Sequence, residues 1–155
     1  MNKSHYRDNS ATIGSVQLAE LRERGLSLRI LKEGKILIEN EREGMKPLLG
    51  VIRSFGRSEL RRTMVVDKIV GKAAALLIGY FRPKIVYSGM LSRRAETILQ
   101  RYRIAYYAER VVPEILCKTG DDLCPFEKTV LEIEAPLEGY RRLVLKALNL
   151  KNSRP

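Results

Sequence analysis

Three residues near the middle of the chain are of the types that bind phosphate. Lys68 and Lys72 are four residues apart, so on a helix they would share one face. Gly71 would let a ligand approach the backbone closely, and a helix start presents free N–H groups to an anion. Lys46, at the start of another predicted helix, would approach the same ligand. We therefore predict a pocket for a phosphorylated small molecule; the alternative is that the lysines are solvated.

Asp67 and Ala73 complete this predicted pocket. Asp67 would orient a lysine or hydrogen-bond a ribose hydroxyl, and the alternative is that it caps the helix. Ala73 opens a run of three alanines, which removes side-chain bulk from the helix start. The G-x-x-x-x-G-K-[ST] frame of a P-loop is absent. The pocket is therefore expected to bind its ligand in another way.

Cys124 and Glu127 are the other candidate site residues. A helix start would make the Cys124 thiol more acidic and place the Glu127 carboxylate one turn away, so that both face the pocket. The alternative is structural: Cys124 is the N-cap and Glu127 belongs to a capping box. Cys117 is expected to be a small core residue.

The pattern of apolar residues predicts one α/β domain. Residues 1–12 are predicted to form a flexible N-terminal arm, and residues 13–150 a single domain. The predicted helices cover 13–24, 46–56, 72–79, 92–102 and 136–148, with another starting at 124. The predicted strands cover 26–31, 35–39, 63–66, 84–89 and 104–107. This order of elements predicts a three-layer α/β/α sandwich around a five-stranded sheet.

Composition restricts the class of protein further. No apolar run is long enough to span a membrane, and the first residues lack the apolar segment of a signal peptide. Two cysteines in 155 residues favour reduced thiols over a disulfide framework. We therefore expect a cytoplasmic protein that does not bind a membrane.

Charge is distributed unevenly along the chain. The formal net charge is +11; residues 44–111 contain 14 basic and 4 acidic residues, whereas residues 112–140 contain 2 and 7. A basic middle suits RNA or a phosphorylated small molecule. The alternative is a solvated, arginine-rich surface, since no RNP-like aromatic motif or Cys/His finger accompanies it.

Two motifs resemble those of a known family. The sequence DKxVGKAAA at 67–75, followed by CPxE at 124–127, resembles an uncharacterised prokaryotic domain of unknown function with a cytidine-deaminase-like fold. The resemblance implies a mixed five-stranded sheet between helices, with a pocket where two helix starts converge. On this chain those starts fall near 44–47 and 67–73. It also implies a tendency to form homodimers.

The chain lacks the zinc ligands of deaminases. Those enzymes hold zinc through a His or Cys and two further thiolates. The only histidine here is His5, and Cys117 and Cys124 have C-x6-C rather than C-x2-C spacing. We therefore predict no metal and no other cofactor, and we do not expect a zinc-dependent deaminase.

The leading hypothesis is a protein that binds a nucleotide or nucleoside derivative, for example an ADP-ribose-like ligand, in a zinc-free deaminase-like pocket. One alternative is a metal-independent enzyme that acts on a similar substrate through Asp67, Lys68 and Lys72, with Cys124 and Glu127 as further candidates. Another is an RNA-binding module that uses the basic middle of the chain.

Overall fold

A five-stranded mixed sheet forms the centre of the protein. The computed structural model describes residues 3–152, with side chains from Asn9 onward. Its elements are α1 (Lys3–Glu23), β1 (Leu28–Lys32), β2 (Lys35–Asn40), α2 (Lys46–Leu60), β3 (Met64–Val70), α3 (Lys72–Phe81), β4 (Ile85–Ser92), α4 (Arg93–Arg101), β5 (Ala105–Val112), α5 (Pro125–Thr129) and α6 (Pro136–Asn152). The predicted α/β architecture with helices on both sides of the sheet is confirmed.

The strands lie in the order β2-β1-β3-β4-β5. Strand β1 runs antiparallel to both β2 and β3, whereas β3, β4 and β5 are parallel. The three parallel strands are connected by α3 and α4, as expected for β-α-β units. Their carboxyl ends therefore meet at one edge of the sheet, and their amino ends at the opposite edge.

Two hydrophobic clusters cover the two faces of the sheet. Leu18 and Leu21 of α1 pack with Val66 and Tyr87 on one face. The larger cluster on the other face joins α2, α3 and α4 to the sheet, and α6 packs along α3. Successive residues of β3 alternate between these clusters, with Val65 in the larger and Val66 in the smaller, as the pleat of a strand requires.

The first helix is longer than predicted. It begins at Lys3 rather than at Ile13, so residues 3–12 are helical in the structure. The first two residues of the predicted arm, and the three after Asn152, lie outside the described residues. The described helices include none that is long and apolar enough to cross a membrane.

Strand β3 is also longer than predicted, and this changes the position of two candidate residues. The expected strand ends at Val66, but β3 continues to Val70 and includes Asp67 and Lys68. Asp67 pairs with Leu28 of β1 and with Ser88 of β4. Because strands flank it on both sides, the backbone stays extended through charged residues whose types favour a turn.

Two helix ends follow their sequence signals. The Ser92 hydroxyl accepts a hydrogen bond from the Ala95 N–H at 3.1 Å, which confirms Ser92 as the N-cap of α4. Gly56 leaves the helical conformation, with φ 78° and ψ 163°, where the sequence predicts that α2 ends. The chain turns there and continues as helix to Leu60.

Candidate functional site

A cleft of about 740 Å³ opens at the carboxyl end of β3. We call it the Asp67 cleft. It lies between the loop before α2, the end of β3 with the start of α3, residues 115–118, and the start of α5. In α/β sheets, ligands bind in crevices at the carboxyl ends of parallel strands. Of the predicted site residues, the cleft is lined by Asp67, Gly71, Ala73, Cys124 and Glu127.

Asp67 is the titratable group most altered by this environment. Asp67 is 9% exposed, and its carboxyl has one hydrogen bond to a described residue, which Oδ1 accepts from the Ile69 N–H at 3.2 Å. Burial raises the pKa of its carboxyl to about 7, because the Ile69 N–H offsets only part of the desolvation. Asp67 therefore presents to the cleft a carboxyl that both donates and accepts hydrogen bonds near neutral pH. It does not cap α3, whose N-cap residue is Gly71.

Glu127 caps the start of α3 from a different helix. Its Oε2 accepts a hydrogen bond from the Lys72 N–H at 3.0 Å, and its Oε1 accepts one from the Ala73 N–H at 3.2 Å. The carboxylate thus occupies the place where a phosphate was predicted to bind. The capping-box interpretation is wrong, because Glu127 caps α3 rather than its own helix. Burial raises the pKa of this carboxyl, although the two N–H groups act in the opposite direction.

Gly71 leaves room for this cap. A Cβ atom on Gly71 would lie 1.9 Å from Glu127 Oε1. Its φ of −95° is open to any residue, so the requirement for glycine comes from the approach of Glu127. The sequence analysis assigned this close approach to a ligand; the structure gives it to a side chain of the same protein.

Lys68 and Lys72 do not share a helix face. Lys68 is in β3 and half exposed, and its Nζ lies 3.0 Å from Glu43 Oε1. Lys72 is in α3 and only 4% exposed. Residues four apart share a face only when both lie on one helix. Because β3 extends to Val70, Lys68 lies on a strand and Lys72 on a helix.

The Lys72 ammonium binds partners that lie away from the cleft. Its Nζ donates to the Leu131 carbonyl at 2.8 Å and lies 3.1 Å from Glu134 Oε1. These contacts fasten α3 to the segment between α5 and α6. Lys46 begins α2 as predicted, but it lines two neighbouring depressions and not the Asp67 cleft. The structure therefore does not bring Lys46, Lys68 and Lys72 together around one ligand, as was predicted.

Both cysteines line the cleft, which was not predicted for Cys117. Its Sγ lies 3.0 Å from Thr119 Oγ1, and this hydrogen bond lowers the pKa of the thiol. Cys124 is the N-cap residue of α5, but its side chain makes no capping hydrogen bond. Both thiols are free.

The walls of the cleft contain residues that the motifs did not indicate. They are mainly apolar and come from Met45, Ile69, Ile115, Leu116 and Phe126. Arg42 and Lys118 line the same cleft and are both exposed. Sequence reasoning missed these two residues, because no motif or spacing connects residue 42 with residue 118.

The described side chains contain no group of three or more His, Cys, Asp or Glu residues placed to hold a metal ion. The side chain of His5 lies outside that set. The cleft thus presents two carboxyls of raised pKa, those of Asp67 and Glu127, together with two thiols and an apolar wall.

Comparison with known proteins places the chain in a family. The profile described as "TM1506: Domain of unknown function (DUF1893)" matches residues 17–146. The crystal structure of a DUF1893 family protein, TM1506 from Thermotoga maritima, is similar with a TM-score of 0.76 and 29% identity. The match covers 94% of this chain and 92% of that one. No curated protein matches. The chain belongs to the DUF1893 family of domains of unknown function.

Proposed function

We propose that the Asp67 cleft binds a nucleoside or nucleotide derivative, for example an ADP-ribose-like molecule. The observation that carries this proposal is the buried Asp67 carboxyl, which faces the cleft with a single hydrogen bond from the described chain. A carboxyl of this kind recognises a ribose hydroxyl or a base N–H. No buried side-chain oxygen of the described residues lacks a hydrogen-bond partner, so the second Asp67 oxygen is open to the cleft, where a ligand hydroxyl or N–H can reach it.

The ligand is oriented with its apolar part inside. Ile69, Ile115 and Phe126 provide a wall for a base, which gains by leaving water. The N-terminus of α3 is filled by Glu127, so the phosphates belong at the mouth of the cleft. Arg42 and Lys118 line the cleft and are exposed, and neither lies within ion-pair distance of a described carboxylate, although Lys118 helps to lower the pKa of Glu43. This orientation replaces the phosphate site predicted at Lys68 and Lys72.

The convergence of two helix starts supports a zinc-free deaminase-like scaffold as part of the proposal. Met45 is the N-cap residue of α2 and Gly71 that of α3, and both line the cleft. This is the arrangement that the sequence resemblance implies. Cytoplasmic location and homodimer formation stay predictions.

A metal-independent enzyme is the second candidate, and the pKa of Asp67 favours it. A general acid or base works best when its pKa is near the working pH, and that of Asp67 is about 7. An enzyme of this kind would bind the ligand in the same site and also convert it to a product. Incubation of a bound ligand with the protein, followed by mass analysis of the ligand, separates the two candidates.

Isothermal titration with adenosine, AMP and ADP-ribose tests the binding proposal. We expect at least one of the three to bind the unaltered protein. Asp67→Asn should weaken that binding about tenfold or more, since hydrogen bonds to ionisable groups contribute about 1.5–3 kcal/mol. Ile69→Trp should abolish it by filling the cleft from a position that is 38% exposed.

Glu132→Gln is the matched control, because Glu132 is exposed and lies outside the cleft. It should bind as the unaltered protein does. Lys72→Met should also bind normally, although it will be less stable. Binding lost in Lys72→Met but kept in Ile69→Trp would contradict the proposed site.

A further inference from the structure

A second functional surface lies at the opposite end of the parallel strands. Two adjoining depressions of about 370 and 360 Å³ share Arg61 and Arg82. Around them stand five exposed arginines, which we call the arginine surface: Arg57, Arg61, Arg62, Arg82 and Arg103. The turns that carry Arg62 and Arg82 are joined by a hydrogen bond from the Arg62 N–H to the Arg82 carbonyl, at 3.1 Å.

The guanidinium groups of this surface are available to a ligand. Within the described residues, none of the five forms an ion pair or a side-chain hydrogen bond. By contrast, other arginines of the chain, such as Arg22, Arg29 and Arg101, are paired with glutamates. Arg57 lies over the ring of Tyr80, 4.9 Å from its centroid, which orients it without neutralising it.

Three of these arginines occupy backbone positions that favour glycine. Arg62, Arg82 and Arg103 have φ values of 63°, 54° and 55°. They stand at equivalent places, in the turns that connect α2 to β3, α3 to β4 and α4 to β5. Glycine relieves the strain of such a left-handed turn, and it is the usual residue there. A cation near a helix C-terminus is favourable, but the preceding turn could supply one without this strain.

We propose that the arginine surface binds single-stranded nucleic acid through its phosphates. Unpaired guanidiniums bind phosphate oxygens through two parallel hydrogen bonds and stack on unpaired bases. No large apolar side chain of the two depressions is exposed, so the surface has nothing to insert into a bilayer. A strand that crosses both depressions passes the five arginines that line them.

The proposal is independent of the Asp67 cleft, because the two sites are at opposite ends of β3. Fluorescence anisotropy with a labelled oligouridine of about 12 nucleotides measures binding directly. The affinity should fall steeply with salt, with a slope of log Kd against log salt of about 2–4, because several phosphates release counterions. An oligodeoxythymidine of equal length should bind with comparable affinity, since the contacts are to phosphates.

The decisive variant is Arg62→Gly/Arg82→Gly/Arg103→Gly. It removes three charges where glycine suits the backbone, so we expect it to fold and to lose at least about tenfold in affinity. The control Arg93→Gln/Arg110→Gln/Lys151→Gln removes three exposed positive charges elsewhere and should stay within about twofold. Asp67→Asn should bind as the unaltered protein does.

The proposal would be overturned by no binding of the unaltered protein, by equal losses in the glycine variant and its control, or by tighter binding of a duplex than of the single strand. Vesicles of anionic lipid serve as the alternative polyanion. Binding to these vesicles without binding to the oligonucleotides would also overturn it.

Discussion

Asp67 is a residue whose position reduces stability, which is typical of a functional group. Burial without a nearby cation disfavours the charged form of a carboxyl. Its pKa is about 7 in the folded protein and 3.8 in the reference state, so between these pH values the folded protein binds the additional proton. The free energy of unfolding therefore falls as pH rises through this window, and the loss is complete above about pH 7.

Asp67→Asn should remove this loss. We expect the variant to be more stable than the unaltered protein at about pH 8, by roughly 2–4 kcal/mol, because a pKa difference of one unit corresponds to about 1.4 kcal/mol. Well below pH 3.8 the difference should vanish, since Asp67 is then protonated in both the folded and the unfolded state. Urea denaturation of both proteins at several pH values measures this. A variant that is less stable at about pH 8 would show that Asp67 is a structural residue.

The residue types at the cleft were predictable, but their partners were not. DKxVGKAAA and CPxE singled out Asp67, Gly71, Ala73, Cys124 and Glu127, which do line one cleft. The hydrogen bonds from Lys72 and Ala73 to Glu127 cross more than 50 residues of chain. Helix-start signals are local, so they assigned Glu127 to its own helix.

Glu127 satisfies the first two N–H groups of helix α3. Its buried first turn has no side-chain cap from its own N-cap residue, Gly71. Without Glu127 the N–H groups of Lys72 and Ala73 would be left buried and unpaired. An unsatisfied buried donor costs about 1–3 kcal/mol, so the capping contact is one of the main links between α3 and α5.

Gly71→Ala and Glu127→Ala should act through the same contact. Each should lower the free energy of unfolding by about 2–4 kcal/mol, since each displaces or removes the cap. In the double variant the losses should be much smaller than their sum, because the alanine Cβ has no carboxylate left to meet. A double-mutant cycle by urea denaturation measures the coupling.

Gly50→Ala is the control for glycine replacement. Gly50 is helical and exposed, and a Cβ atom there would meet nothing within 4 Å. Alanine should therefore raise stability by about 0.5–1 kcal/mol. Additive losses for Gly71→Ala and Glu127→Ala would contradict the capping role.

Element order could be predicted better than element ends. All five strands and the five long helices were expected in the right order, because each has an apolar stripe or run that must be buried. The ends depend on tertiary contacts. Strand β3 extends because β1 and β4 pair with it, and that extension separated Lys68 from Lys72.

The molecule as a whole has two distinct ends. Exposed arginines gather at the arginine surface, whereas the Asp67 cleft includes carboxylates and thiols. The basic middle of the sequence was predicted as one feature. The fold divides it, and the sequence could not show which arginines meet, since they come from α2 and three separate turns.

Replacement of Arg62, Arg82 and Arg103 by glycine should leave stability unchanged or raise it by about 1–3 kcal/mol. Relief of the left-handed strain and of charge repulsion outweighs the lost helix-dipole contacts. The same three positions changed to alanine should be less stable than the glycine variant, because alanine keeps the strain. Thermal unfolding at matched ionic strength compares the two. A glycine variant that is the less stable of the pair would contradict the strain at these turns.

The central claim is that the Asp67 cleft holds a nucleotide-like molecule, and native mass spectrometry tests it most directly. The unaltered protein and Ile69→Trp are incubated with the same mixture of cellular nucleosides and nucleotides, and their masses are compared with those after denaturation. We predict that the unaltered protein retains one nucleoside or nucleotide derivative, which denaturation releases, and that Ile69→Trp retains none. A bare mass for the unaltered protein, or the same adduct on both proteins, would contradict the claim.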